Sequence, residues 1–197
     1  ECARVVDDSI KRGAGDWPLA TDAMPGGYEA MAKAMSEAGL RPGFWFDNNR
    51  VLADSELFSK HPEWLVKSPD GSPATADPAN PYGPYAWLDA SVPEARDYYY
   101  ECARKFSAVG QRYCFTEVSR RALEAVRKGF GKDFYWLSQQ TPAANVGLVD
   151  AMRTGSDSFG DDVDSYREAL TKWFMNRRLF MCDPDAWCPL RHTEQWD

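Results

Sequence analysis

The chain has 197 residues, 44% of them hydrophobic and 27% charged, and a formal net charge of −7. That length buries a sizeable core and sets the expectation at one domain, residues 1–197. Scattered Lys and Arg in an acidic chain argue against a nucleic-acid partner, and no apolar run reaches the roughly 18 to 20 residues of a membrane span.

The five cysteines, Cys2, Cys102, Cys114, Cys182 and Cys188, are odd in number and lack a short repeated spacing. They fit neither a disulfide framework nor a zinc site, and with only His61 and His192 as histidines neither a metal nor another cofactor is expected. Reduced, buried thiols point to a reducing, cytoplasmic setting, and no signal-peptide pattern is present. Aromatic residues make up 14% of the chain, eight of them Trp. Trp and Tyr faces suit the apolar C–H faces of pyranose rings, with a Trp-rich core as the plainer reading.

Short apolar runs alternate with amphipathic segments along the chain. Ala3 to Val6 is apolar and ends in Asp7-Asp8. Met31, Ala34, Met35 and Ala38 predict a helix over 27–38, stopped by Gly39. Leu40 to Phe46 reads as a buried strand. Residues 65–88, rich in Pro, Gly, Asp and Ser, read as a long loop. Ser91 is the expected N-cap of a helix with Pro93 and Glu94 in its first turn, running to about Val109. A strand over 112–118, a helix over 120–128 ended by Gly129 or Gly131, and strands over 134–137 and 148–153 follow. A helix near 165–175 leads to a strand over 179–182 and then Asp183-Pro184-Asp185. This alternation predicts an α/β fold with parallel strands and crossover helices. Such folds place chemistry at the carboxyl ends of strands, where Asp7, Asp8, Asp47, Glu117, Asp157, Asp183 and Asp185 fall. Convergence of these acids on one mouth favours a barrel over an open sheet.

Val6-Asp7-Asp8, Gly15-Asp16-Trp17 and Met24-Pro25-Gly26-Gly27 resemble the opening of family 36 glycoside hydrolases, the melibiase-type α-galactosidases. Gly39 to Trp45, Ser55-Glu56-Leu57, His61-Pro62-Glu63-Trp64 and Leu88 to Ala95 continue the similarity in order. Gly147 to Arg153 leading to Asp157, and Asp183-Pro184-Asp185, extend it towards residue 191. The resemblance implies a (β/α)8 TIM-barrel-like fold, here incomplete, with about six of the eight strand–helix units. An arc of that kind would leave two unpaired sheet edges and could pair with another copy as a homo-oligomer.

The resemblance also implies site roles in a retaining hydrolase of α-galactosides, with a small carbohydrate as substrate. Asp7 and Asp8 would accept hydrogen bonds from the sugar hydroxyls. Trp17 and Trp45 would wall the sugar, and Arg153 would orient carboxylates. Glu117 falls at the nucleophile position and Asp157 at the general acid/base. Retaining chemistry needs two such carboxylates roughly 5 Å apart, the acid held protonated near neutral pH. Departures from the family pattern cluster at the nucleophile strand: Phe115 replaces a Lys, Glu117 replaces an Asp, and the loop usual after this strand is missing. Gln139 and Gln140 stand near where the family usually has Cys-Gly, a position that lines the sugar pocket, and Ser9 replaces a Gly. A displacement of about 1 Å in a reacting group can cost about a hundredfold in rate. A catalytically silent carbohydrate-binding relative, and a trimmed or engineered barrel with a rebuilt site, therefore stand beside the enzyme reading.

Overall fold

A computed structural model describes residues 15–17, 26–47, 49–76, 83–116, 120–138, 145–153 and 163–183. The chain divides into two compact units, residues 1–134 and 135–197.

In the first unit, helix α1 spans Gly27–Glu37 and closes at Gly39, whose φ of 77° is a left-handed turn that glycine adopts without strain. Strand β1, Gly43–Phe46, pairs in parallel with β5, Tyr113–Thr116, in the register Gly43↔Tyr113 to Phe46↔Thr116. Between them lie β2 (Arg50–Leu52), α2 (Glu56–Lys60), a 3-10 turn (Pro62–Trp64), β3 (Thr75–Ala76), β4 (Tyr85–Trp87) and α3 (Pro93–Ala108). Helix α4, Arg120–Phe130, follows β5 and packs along α3.

The core of this unit is aromatic. Phe44 of β1 stacks on Phe106 of α3 at 4.2 Å between ring centroids, and Phe130 stacks on Phe134 at 4.0 Å. Phe44 also meets Phe130 and Phe134 edge-on. Burying a Phe side chain stabilises by about 1.5–3 kcal/mol, so this cluster outweighs the weak intrinsic helix preference of its members. Ala122, Leu123 and Val126 are fully buried at helical spacing on α4, which fixes the face it turns inward.

Several boundaries differ from the sequence expectation. The expected loop over 65–88 contains two strands of an antiparallel sheet ordered β2-β4-β3. Its strands are only two or three residues long, too short for a periodic signal to outweigh the Pro and Gly around them. The N-cap of α3 is Val92, with no side-chain cap. Ser91 instead donates its backbone N–H to Asp89, in a turn that leads into Pro93. Helix α4 runs through Gly129 and stops before Gly131, because the backbone of α3 lies against Gly129 and only a residue without Cβ fits there.

The second unit holds β6 (Tyr135–Ser138), β7 (Ala151–Arg153), α5 (Val163–Lys172), a 3-10 turn (Trp173–Met175) and β8 (Met181–Asp183). The three strands are parallel, in the order β6-β7-β8, with Leu137↔Ala151 and Arg153↔Asp183 in register. Trp136 and Met152 are fully buried. The Asp150 side chain accepts from Trp136 N–H at 2.8 Å, and its carbonyl accepts from Met181 N–H, tying the start of β7 to both neighbours. The α5 crossover between β7 and β8 is the strand–helix–strand unit that the alternation predicts. The described residues are thus mixed α/β with parallel strands and do not by themselves close a barrel.

Candidate active site

The wall of the candidate site is built by Gly15-Asp16-Trp17 against the end of β1. Trp17 is 8% exposed and meets the half-buried Trp45 edge-on, with ring centroids 6.1 Å apart at 62°. Trp17 sits at φ 43°, a conformation uncommon for a bulky side chain. Contacts on both sides hold it there. Lys105 of α3 donates to the Trp17 carbonyl at 2.5 Å, and the Tyr98 hydroxyl donates to the Gly15 carbonyl. The Asp16 carboxylate accepts from Glu56 N–H and Leu57 N–H, both at 2.8 Å, capping the first turn of α2. Gly15 has φ 113°, and a Cβ there would lie 2.8 Å from Ser55 Oγ. Each member of the tripeptide therefore has a physical reason: Gly for the close approach, Asp for the helix end, Trp for the wall.

Asp47 follows directly on β1 and is 1% exposed. Its carboxylate accepts from Asn49 N–H at 3.1 Å, from Arg50 N–H at 3.4 Å and from Arg50 Nε. Burial holds the Asp47 carboxyl above the usual carboxylate range, and Arg50 with the two backbone donors offsets only part of that rise. Asn49 in turn accepts from the Tyr99 hydroxyl at 3.1 Å, and its carbonyl accepts from Leu88 N–H. The segment after β1 is thereby tied both to α3 and to the small antiparallel sheet.

In the second unit Arg153 is the last residue of β7 and is 7% exposed. The strand register sets it beside Asp183, the last residue of β8, so a cation and a carboxylate share the carboxyl ends of neighbouring strands. Of the residues singled out from the sequence, Trp17 and Trp45 come together and Arg153 stands at a strand end. Asp7, Asp8, Glu117 and Asp157 lie outside the described residues, as do Ser9, Gln139, Gln140 and Asp185. Phe115 lies on β5. Among the described residues no group of three or more His, Cys, Asp or Glu is placed to hold a metal ion, and no helix is long and apolar enough to cross a membrane.

Sequence reasoning missed the supports of the wall. Lys105 and Tyr98 lie about eighty or ninety residues beyond it in the chain, and only the spacing of α3 residues on one face hinted that they share a side. Cys102, on the same helix, is a buried free thiol, and Cys182 is a half-buried one.

Residues 3–133, more than half of the chain, match the family described as Melibiase. The chain belongs to the melibiase family. Among curated relatives, the α-galactosidase AgaA of Geobacillus stearothermophilus is 36% identical over 63 residues, 32% of this chain and 9% of that protein. An Escherichia coli α-galactosidase is 29% identical over 136 residues, 64% of this chain and 18% of that protein. Among solved structures, the Thermus thermophilus α-galactosidase TtGalA in complex with stachyose superposes with a TM-score of 0.77 at 27% identity, over 93% of this chain and 50% of that one. This melibiase-family chain therefore spans at most half the length of these three relatives. Its structural neighbours carry a TIM-barrel-like catalytic domain, and the parallel strands and crossover helices described above are of that class.

Proposed function

We propose that the chain is the catalytic-barrel portion of a retaining hydrolase of α-galactosides, with residues 1–197 acting as one catalytic domain on a (β/α)8-type plan. The observation that carries this reading is the Trp17–Trp45 wall, held from three directions beside β1 in a chain of the melibiase family. In this wall the half-buried Trp45, backed by the nearly buried Trp17, offers its ring to the apolar face of a pyranose and leaves the hydroxyls for polar partners. Asp7 and Asp8 supply those partners. Asp157 protonates the glycosidic oxygen of the leaving group while Glu117 attacks the anomeric carbon, forming a glycosyl-enzyme. Asp157 then takes a proton from the water that releases the sugar. Arg153, buried at the end of β7, orients the carboxylates. The free thiols of Cys102 and Cys182 support a reducing compartment.

The test is hydrolysis of an aryl α-galactoside by the parent protein and by Glu117→Gln and Asp157→Asn variants. Activity in the parent that falls by at least a thousandfold, on the order expected for loss of a catalytic group, in both variants supports the two-carboxylate reading. A parent that unfolds cooperatively yet turns over no galactoside refutes it. A second reading, a carbohydrate-binding relative without turnover, draws on Phe115 standing where the family has a Lys.

A further inference from the structure

The small antiparallel sheet that follows β1 presents an aromatic surface that none of the roles above uses. Trp87 of β4 is 39% exposed, high for the residue type with the largest apolar face. It does not stand alone. Tyr85, two residues earlier and so on the same face of the strand, meets Trp87 edge-on with centroids 5.2 Å apart at 87°. Arg50 is registered directly opposite Trp87 on β2, and its guanidinium lies 5.9 Å from the centre of the Tyr85 ring. Val66, 37% exposed, donates its backbone N–H to the Trp87 carbonyl at 2.8 Å and flanks the Trp on the other side.

The position of this surface is set by the candidate site. Arg50 Nε is bound to the buried Asp47 carboxylate, and Asp47 is the residue immediately after β1, two beyond Trp45. The same carboxylate that closes the end of β1 thus holds the cation that lies over the Tyr85 ring. Asn49 and Leu88 are joined by a backbone hydrogen bond of 2.8 Å, so β4 is carried by the residues that end β1. A flat aromatic face with a cation beside it, at the carboxyl end of a parallel strand, is suited to stacking against a sugar ring.

We propose that Trp87, positioned by Tyr85 and Arg50, is a sugar-contact platform for the portion of an α-galactosyl oligosaccharide that lies beyond the scissile bond. The inference rests on the galactoside reading of the Trp17–Trp45 wall. It assigns the role of gripping the leaving group to the small antiparallel sheet after β1, so that chain length of the substrate is read there. Stacking one pyranose on an exposed Trp corresponds to about a tenfold gain in affinity.

The experiment is calorimetric titration of the full chain with galactose and with stachyose, repeated on Trp87→Ala, Trp87→Phe and, as an exposed-Trp control outside the small antiparallel sheet, Trp173→Ala. The expected result is that stachyose binds about tenfold more tightly than galactose. Trp87→Ala should remove that advantage without changing galactose affinity, Trp87→Phe should restore part of it, and Trp173→Ala should leave it intact. Equal affinity for the two sugars, or an advantage that survives Trp87→Ala, overturns the platform and leaves the hydrolase reading untouched. Stachyose binding that depends on Trp87 in a chain without galactosidase turnover supports the platform while refuting the hydrolase. A chain that binds neither sugar refutes both. A Trp87→Ala protein that fails to unfold cooperatively is set aside for Trp87→Phe and Trp87→Leu, where loss of the advantage only in Leu supports the platform and equal behaviour overturns it.

Discussion

Replacing Gly129 by Ala tests the packing of α3 on α4. Taken in isolation the change should stabilise, because Gly in a helix interior costs about 1 kcal/mol relative to Ala. The structure reverses the sign. An added Cβ would lie 2.4 Å from the Tyr100 carbonyl oxygen, 2.7 Å from Ala103 Cβ and 3.0 Å from Arg104 N, and two of those three atoms are backbone. No side-chain rotation relieves such a contact, so the helices must separate. Separation strains Phe106 and Ala103, both buried, and the 4.2 Å stack of Phe106 on Phe44. Overpacking of this kind costs typically about 1–3 kcal/mol, and the contact with backbone puts this case at the upper end. With the propensity gain subtracted, the expected net loss is about 1–2 kcal/mol. That corresponds to a fall in Tm of about 2–8 °C in a chain of this size. Urea unfolding followed by far-ultraviolet circular dichroism, with the slope compared between parent and variant, measures it directly. A Gly129→Ala protein as stable as the parent, or more stable, would falsify the claim that close backbone approach at this residue governs the α3–α4 distance.

Three further outcomes follow from the contacts described. Asp16→Ala removes the two acceptors on the first turn of α2 and is expected to cost about 0.5–2 kcal/mol in a urea titration, with a weakened grip on galactosides because Trp17 is its neighbour; unchanged values for both would detach the tripeptide from the wall. Burial pushes the Cys102 thiol up to about 11, so mass-spectrometric mapping at pH 8 should find Cys102 unalkylated in the folded chain and alkylated in urea, and fast native labelling would contradict its burial. Asp47 gives a pH signature. Its raised folded pKa means that its contribution to stability is present at acid pH, below its unfolded value near about 3.9, and is lost as pH rises through the folded value. The stability of the parent minus that of Asp47→Asn should therefore decrease from pH 4 to pH 7, and an increase over that window would show that the Arg50 ion pair outweighs burial.

The parts of this chain that were legible in its sequence are those with long-range repetition. Helices α1, α3, α4 and α5 carry apolar residues at helical spacing, and the glycines that close α1 and α4 have left-handed φ values of 77° at Gly39 and 81° at Gly131. Their existence and order followed from those signals, as did the alternation with parallel strands. The antiparallel sheet was illegible because its strands show only one or two alternations each. Tyr85-Ala86-Trp87, with its outer residues on one face and Ala86 fully buried on the other, is a period of two that three residues cannot establish against flanking Pro and Gly. In the candidate site, Gly15-Asp16-Trp17 was visible as a pattern, but its supports were not. A lysine that bonds a carbonyl 88 positions away leaves no local trace, whereas the tripeptide itself does.

In the hydrolase proposed above, the distribution of those supports separates sugar binding from turnover. The wall rests on Gly15, Asp16, Ser55, Tyr98 and Lys105, together with the first turn of α2. Phe115 and Glu117, which the family resemblance proposed above sets at and beside the nucleophile position, are none of these residues. A displaced nucleophile lowers the rate through the geometry of attack, while the aromatic wall and its hydrogen bonds stay as they are. Restoring the family residues, as Phe115→Lys with Glu117→Asp, should therefore raise kcat on an aryl α-galactoside with little change in galactose affinity. The measurement is steady-state kinetics beside galactose calorimetry on the same preparations. A large rise in galactose affinity with kcat unchanged would mean that the nucleophile strand shapes binding rather than chemistry, and that the wall does not hold the sugar independently.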